Sequence, residues 1–131
     1  MEIRVAFRPT LHWTRLWLAD AEEHDYPAAE SYLRILHPDA AAAAIVKQLR
    51  AAPVTQFKAK DIFRASQLSL LGVSNSHVQK DSGKIHDGVP LSPLLLLRDD
   101  AHGRVVIADG YHRLCAVYAL DEDTLIRCKI V

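Results

Sequence analysis

The sequence predicts an α/β protein of the α+β kind, in which a small mixed sheet with helices is preceded by an N-terminal helical hairpin. Apolar residues recur at helical spacing in the first half of the chain, up to Pro53. Short apolar runs bounded by turn residues follow in the second half, as is typical of strands. A helix that is apolar after its first turn lies between the last two runs. We therefore divide the chain into a mainly helical extension, residues 1–52, and an α/β domain, residues 53–131.

Two helices are predicted in the extension. The first begins near Asp25, ends at Pro38 and carries an apolar stripe at i, i+3, i+4 and i+7, formed by Ala29, Tyr32, Leu33 and Leu36. The second runs from about Asp39 to Pro53 with the stripe Ala42, Ile45, Val46 and Leu49. Upstream, weaker patterns predict a short strand at Ile3, Val5 and Phe7 and a helical turn at Trp13, Leu16 and Trp17.

The second half predicts short elements separated by turns. A strand at 54–57 and a helix at 58–65 are followed by a loop and by a polar helix at 76–87, which Gly88 closes. Strands at 94–98 and 105–108 are joined by a hairpin turn at 99–103. A helix at 110–120 and a strand at 126–131 complete the chain, and the order strand, helix, strand predicts a βαβ unit with a right-handed crossover.

Charge and composition restrict the partners. Sixteen basic residues balance sixteen acidic ones, so net charge does not support DNA binding. The longest apolar runs fall short of the roughly 20 residues that span a bilayer, and the N-terminus lacks the pattern of a signal peptide. We expect a cytoplasmic protein with no membrane contact. The histidines show no metal-ligand spacing, so we expect no metal site, and Cys115 and Cys128 are predicted to be buried thiols.

The segment Asp109-Gly110-Tyr111-His112-Arg113 is the strongest candidate for a site. It follows a strand and opens a buried helix, where backbone N–H groups and the positive end of the helix dipole favour an anion. A cation in the first turn opposes the dipole, and a bound phosphate would compensate for it. An alternative interpretation makes Asp109 the N-cap and leaves His112 and Arg113 reaching into solvent.

These residues resemble the ParB/sulfiredoxin superfamily. Gly110, Arg113 and Ala116 match the Gly-x-x-Arg-x-x-Ala of ParB-type members, and Gly110, His112 and Arg113 match the Gly-Gly-Cys-His-Arg of sulfiredoxins. The resemblance covers about residues 53–131 and implies a ParB-like fold. It also implies a bound nucleoside triphosphate, ATP or CTP, with or without Mg²⁺. Tyr111 stands where sulfiredoxins have their nucleophilic cysteine, so repair of oxidised peroxiredoxin is not expected.

Two functions follow from the resemblance as expectations. The first is a nucleotide-dependent sensor or adaptor that meets a protein partner through its N-terminal helices. The alternative is a phosphoryl-transfer or nuclease-type enzyme of the same superfamily, with His112 as the candidate catalytic acid or base because its ordinary pKa lies near 6.5.

The polar helix is predicted to supply the other side of the site. His77, Lys80 and Lys84 lie at i, i+3 and i+7 on one helical face, and the resemblance places that face opposite His112 and Arg113. The alternative is a solvated helix face. We expect Arg113→Ala to abolish nucleotide binding with little loss of stability, and Lys80→Glu to weaken binding more than about tenfold. The predicted binding residues are Gly110, Tyr111, His112, Arg113, His77, Lys80 and Lys84.

Overall fold

The computed structural model describes residues 16–70 and 75–131, and it confirms a mixed α+β fold over them. The predicted strand at Ile3, Val5 and Phe7, together with Trp13, lies outside the described residues. In chain order the elements are α1 (Asp25–Leu36), α2 (Asp39–Ala51), β1 (Thr55–Lys58), α3 (Ala59–Ser66), α4 (Ser76–His86), β2 (Leu94–Asp99), β3 (Arg104–Asp109), α5 (Tyr111–Leu120) and β4 (Leu125–Ile130).

The four strands form one mixed sheet in the order β1, β4, β2, β3. Strands β1 and β4 pair antiparallel, as do β2 and β3, whereas β2 and β4 pair parallel. The predicted βαβ unit is therefore wrong, because β3 runs antiparallel to β4 and is separated from it by β2. The physical reason is the hairpin turn, a short 3₁₀ helix (Asp100–His102) closed by left-handed Gly103, which reverses the chain before α5 begins.

Strand alternation sends the apolar side chains of the sheet to two separate cores. Leu95, Val106 and Ala108 point to the face that α1 and α2 cover, while Leu94 and Leu96 point to the opposite face with α3 and α5. The helical hairpin and the sheet thus share a core. The division of the chain at residue 52 stays a prediction.

The stripe of α1 that faces the sheet is rotated from the predicted one. Tyr26, Ala29 and Leu33 are buried, whereas Tyr32 and Leu36 keep 44% and 45% of their surface exposed. Tyr26 extends the stripe by one turn toward the N-terminus, so the helix docks through its first two turns. In α2 the predicted Ala42, Val46 and Leu49 are buried in the same core, and Ile45 is partly buried against it.

The segment before α1 also differs from the prediction. Trp17 forms an isolated parallel bridge with Leu91, and its indole N–H donates to the carbonyl of Leu125 at 3.1 Å. Extended pairing with the chain before β2 therefore replaces the predicted helical turn at Leu16 and Trp17. Both side chains are buried in the core on the α3 and α5 side.

The two cysteines are buried and form no disulfide, as predicted. Cys128 lies on β4 among apolar side chains, and burial raises the pKa of its thiol to about 12. At neutral pH it is therefore a protonated core residue. Within residues 16–70 and 75–131, no helix has the length and apolar character needed to cross a membrane.

A buried lysine joins the helical hairpin to the sheet. Lys129 lies on β4 with only 4% of its side chain exposed. Its ammonium donates to the hydroxyl of Tyr26 at 2.9 Å and to the carbonyl of Arg50 at 3.0 Å, and it lies 3.1 Å from the Asp20 carboxylate. Burial alone would lower the pKa of Lys129, but these partners raise it, so the ammonium stays charged.

We expect Lys129→Ala to lower the free energy of unfolding by about 2 to 3 kcal/mol, because it leaves the Tyr26 hydroxyl and a buried carbonyl without their donor. Lys47→Ala, on the exposed side of α2, is the matched control and should change it by less than about 0.5 kcal/mol. Urea denaturation measures both. Equal values for the two variants would show that Lys129 does not hold the hairpin.

Candidate functional site

The turn between β3 and α5 requires glycine at position 110. Gly110 has φ +106°, in the left-handed region that glycine alone adopts without strain. A Cβ atom there would lie 2.7 Å from Leu94 Cγ and 2.9 Å from Arg113 Nη2. The side chain of Arg113 therefore folds back over the turn, and only a residue without a side chain leaves room for it.

The start of α5 has no side-chain cap. Gly110 occupies the N-cap position and has no side chain to accept from the first N–H groups of the helix, and no other side chain of residues 16–70 and 75–131 caps them. The alternative interpretation, in which Asp109 caps the helix, is therefore wrong: its carboxylate accepts instead from Arg113 Nη2 at 2.6 Å. After the first turn α5 is buried from Leu114 to Val117, as predicted, whereas Ala119 and Leu120 at its end are exposed.

Arg113 is held by two carboxylates. Its side chain is only 13% exposed, with Nη1 3.0 Å from Asp25 Oδ2 and Nη2 2.6 Å from Asp109 Oδ2. We call these three residues the Arg113 cluster. The alternative interpretation, in which Arg113 reaches into solvent, is therefore wrong. The reason is Asp25, which the docking of α1 against the sheet brings beside the turn.

Ser92 completes the polar surroundings of Asp25. The Ser92 hydroxyl donates to Asp25 Oδ2 at 2.5 Å and accepts from the backbone N–H of Glu22 at 3.0 Å. This chain of bonds connects the segment before β2, the start of α1 and the N-terminus of α5. The side chains of Asp25 and Ser92 are both buried, and both are hydrogen-bonded here.

A polar cleft of about 220 Å³ opens in front of this turn. We call it the Gly110 cleft. Its walls include Gly110, His112 and Arg113 from the predicted turn and Lys84 from α4. The structure thus brings together residues from both predicted sides of the site. Asn75 caps α4 by accepting from the N–H groups of His77 and Val78, which fixes the start of that helix.

The other predicted residues lie elsewhere. The ring of His77 lies 4.8 Å from that of His112, centroid to centroid, behind the cleft wall. Tyr111 packs edge-on against Phe63, with its hydroxyl donating to the carbonyl of Ser69. Lys80 is exposed and does not line the cleft, where Asp81 takes its place. The α4 residues that line the cleft are Asp81 and Lys84, which lie at i and i+3.

Apart from Asp109, the acidic residues that line the cleft were not predicted. Four carboxylates, two permanent cations and two imidazoles line it: Glu22, Asp25, Asp81, Asp109, Lys84, Arg113, His24 and His112. Asp25 was predicted only as the residue near which the first helix begins. Only the packing of α1 on the sheet places it at the site.

Burial and neighbouring charges shift three pKa values in the cleft. Burial raises the pKa of Asp109 to about 6, with the Asp25 carboxylate adding to the effect and Arg113 opposing it. Burial would lower the pKa of Arg113, but the two carboxylates outweigh it and raise the pKa. The pKa of His112 is lowered by burial and by His77, so its imidazole is neutral at pH 7.

Within the described parts of the chain, no group of three or more histidine, cysteine, aspartate or glutamate side chains is placed to hold a metal ion. The carboxylates of Asp25 and Asp109 instead accept hydrogen bonds from Arg113.

No family model matches the chain, and neither the curated proteins nor the solved structures give a match. The resemblance to the ParB/sulfiredoxin superfamily accordingly stays a prediction. What the structure adds is the arrangement of its motif residues, which lie at a strand-to-helix turn beside a polar cleft.

Gly110→Ala should lower the free energy of unfolding by at least about 2 kcal/mol, because the methyl group would combine a strained φ with contacts to Leu94 and Arg113. Gly103→Ala is the matched control, since Gly103 is also left-handed at φ +63° but has open space around its Cβ position. It should cost only about 1 kcal/mol. Thermal or urea unfolding of both variants measures the difference, and equal losses would mean that the close approach is unimportant.

Arg113→Ala should destabilise the protein by about 3 kcal/mol, because it leaves two neighbouring carboxylates without their shared cation. This replaces the expectation of little loss. Arg64→Ala is the control, since Arg64 is 88% exposed and lies 3.9 Å from Asp61. It should change stability by less than about 0.5 kcal/mol. A wild-type unfolding midpoint for Arg113→Ala would contradict the role assigned to the Arg113 cluster.

Proposed function

We propose that the Gly110 cleft binds a phosphate-bearing ligand, in the first instance the phosphates of a nucleotide such as ATP or CTP. The observation that carries the proposal is the start of α5, where N–H groups without a side-chain cap meet a polar cleft lined by Lys84 and His112. Helix N-termini of this kind bind anions through their N–H groups and the helix dipole.

Lys84 and Arg113 have different roles in the proposed phosphate site. Lys84 supplies a positive charge to the cleft from α4. Arg113 is already shared by Asp25 and Asp109, so it orders the turn and reaches a phosphate only by giving up part of those contacts. Lys84 and the N–H groups of α5 are therefore the primary phosphate contacts.

The size of the cleft limits what it holds. At about 220 Å³ it is smaller than the roughly 300 to 1,000 Å³ of pockets that enclose a drug-sized molecule. The phosphates would fill it, and the ribose and base would lie over its rim. Selection among bases would then depend on the surface around His24 and Pro90.

A nucleotide at this position would contact the helical hairpin, because Asp25 at the start of α1 forms part of the wall. The far end of α1 exposes Tyr32, Ile35 and Leu36, a set of apolar side chains suited to a protein contact. Both features support a nucleotide-dependent sensor or adaptor whose partner meets the N-terminal helices.

A phosphoryl-transfer enzyme is the second candidate, and one observation favours it. The lowered pKa of His112 leaves a neutral imidazole at the cleft wall, which can accept a proton from an attacking hydroxyl or water. Product analysis after incubation with ATP or CTP and Mg²⁺ separates the two functions: stoichiometric binding without turnover supports the sensor, and His112-dependent release of phosphate supports the enzyme.

Isothermal titration with ATP and CTP, each with and without Mg²⁺, tests the site itself. Lys84→Ala should weaken binding at least about tenfold, because it removes a permanent cation from the cleft. Lys80→Ala removes the same charge from the exposed face of the same helix and should leave affinity within about twofold. This replaces the expectation for Lys80→Glu. Failure of both nucleotides to bind, or equal losses in the two variants, would overturn the proposed site.

A further inference from the structure

The Arg113 cluster places two carboxyl groups around one guanidinium. Asp25 and Asp109 accept from different nitrogens of Arg113, at 3.0 Å and 2.6 Å, so one guanidinium joins the two carboxyl groups. Two carboxylates this close repel each other, and a single cation balances only one of them. The cluster therefore carries a net negative charge at the floor of a cleft that we assign to an anion.

The two carboxyl groups are not equivalent. Asp25 accepts from Ser92 Oγ at 2.5 Å and from Arg113 Nη1 at 3.0 Å, and His24 Nε2 lies 3.4 Å away. Asp109 has Arg113 Nη2 as its hydrogen-bond donor. A proton added to the pair is held better on Asp109, because protonating Asp25 would displace a donor that already points at it.

The charges that face Asp109 come from every element around it. Asp25 and His24 approach from the start of α1, Glu22 from the segment before it, Asp81 and Lys84 from α4, and His112 and Arg113 from α5. The permanent cations are fewer than the carboxylates. An anion that entered this cleft would meet more negative than positive charge unless one carboxylate were neutralised.

We propose that anion binding in the Gly110 cleft is coupled to the uptake of one proton by Asp109, so that the protein binds its phosphate ligand more tightly as the pH falls. This inference rests on the proposed function. The proton comes from solvent and converts the Asp109 carboxylate to a carboxylic acid. Arg113 Nη2 is then released toward the anion, and the new hydroxyl can donate to Asp25 or to the anion itself.

The raised pKa of Asp109, about 6, places this exchange close to neutral pH. Above that pH the carboxylate is charged in the free protein and must take up a proton to admit the anion, so affinity falls as pH rises. One linked proton corresponds to about a tenfold loss of affinity per pH unit. Well below the pKa the acid is already protonated, and affinity becomes independent of pH.

Sulfate is a suitable probe, because its charge stays constant over this range and only the protein titrates. We expect the sulfate Kd of the wild type to rise about tenfold between pH 6.5 and 7.5 at fixed ionic strength. Titrations in buffers of different ionisation enthalpy should show uptake of about one proton per sulfate near pH 7.5.

Asp109→Asn should remove this pH dependence and bind sulfate at least about tenfold more tightly than the wild type at pH 7.5. Asp87→Asn, an exposed carboxylate outside the cleft, is the matched control and should keep the wild-type dependence. His112→Asn removes an imidazole that lines the cleft and should also keep the wild-type dependence. If Asp109→Asn does not fold, the proton count of the wild type still decides the proposal.

Two outcomes overturn the proposal in distinguishable ways. Sulfate binding that is lost in Lys84→Ala but shows no pH dependence, or a dependence that persists in Asp109→Asn or vanishes in His112→Asn, refutes the proton coupling and leaves the anion site in place. Absence of binding by the wild type at every pH between 5 and 8, for sulfate and for both nucleotides, refutes the anion site and the coupling with it.

Discussion

The packing of Arg113 between Asp25 and Asp109 is the interaction on which the rest of the site depends. It connects three elements, the start of α1, the end of β3 and the first turn of α5. Because a buried guanidinium needs partners for its charge, the position of each element is restricted by the other two. Gly110 is required by the same contact, since the guanidinium lies where a side chain at 110 would begin.

A second buried cation, Lys129, contacts Tyr26, the residue that follows Asp25 in α1. Asp25 accepts from Arg113, and Tyr26 accepts from Lys129 on β4. The two residues point in different directions from the first turn of the helix, so α1 is fixed in rotation as well as in position. Its C-terminal half has fewer constraints, which agrees with the exposure of Ile35 and Leu36 there. The helix is thus rigid beside the cleft and more accessible at its other end.

Much of the fold could be predicted from local patterns. Each predicted strand and helix from Asp25 onward is present, and Gly88 and Gly103 are left-handed where the sequence called for turns. The order of the strands could not be predicted, because periodicity identifies strands and not their neighbours. The rotation of α1 about its own axis could not be predicted for a similar reason. Tyr32 and Leu36 have the spacing of a buried stripe, but the helix packs on the sheet through the adjacent stripe, which includes Tyr26.

The site was predicted in part. Gly110, His112, Arg113 and Lys84 lie around one cleft, because the turn and the helix that carry them have local signatures. The contribution of Asp25, Ser92 and Asp81 could not be predicted, since it depends on tertiary contacts between residues far apart in the chain. Arg113 shows the same limit, because a cation in a first turn has different roles depending on whether a carboxylate from another element reaches it.

The strand pairings of β4 close longer loops than the other pairing of the sheet. Its neighbours are β1, which it meets by pairing Thr55 with Cys128, and β2, with which it runs parallel. Both pairings close long loops, whereas the β2 and β3 hairpin closes a short one. Since long loops lose more chain entropy before their contacts form, the hairpin and α5 are the natural place for structure to begin. Strand β4 lies between β1 and β2 and joins them into one sheet, so the contacts of Lys129 with α1 and α2 depend on both of its long-range pairings.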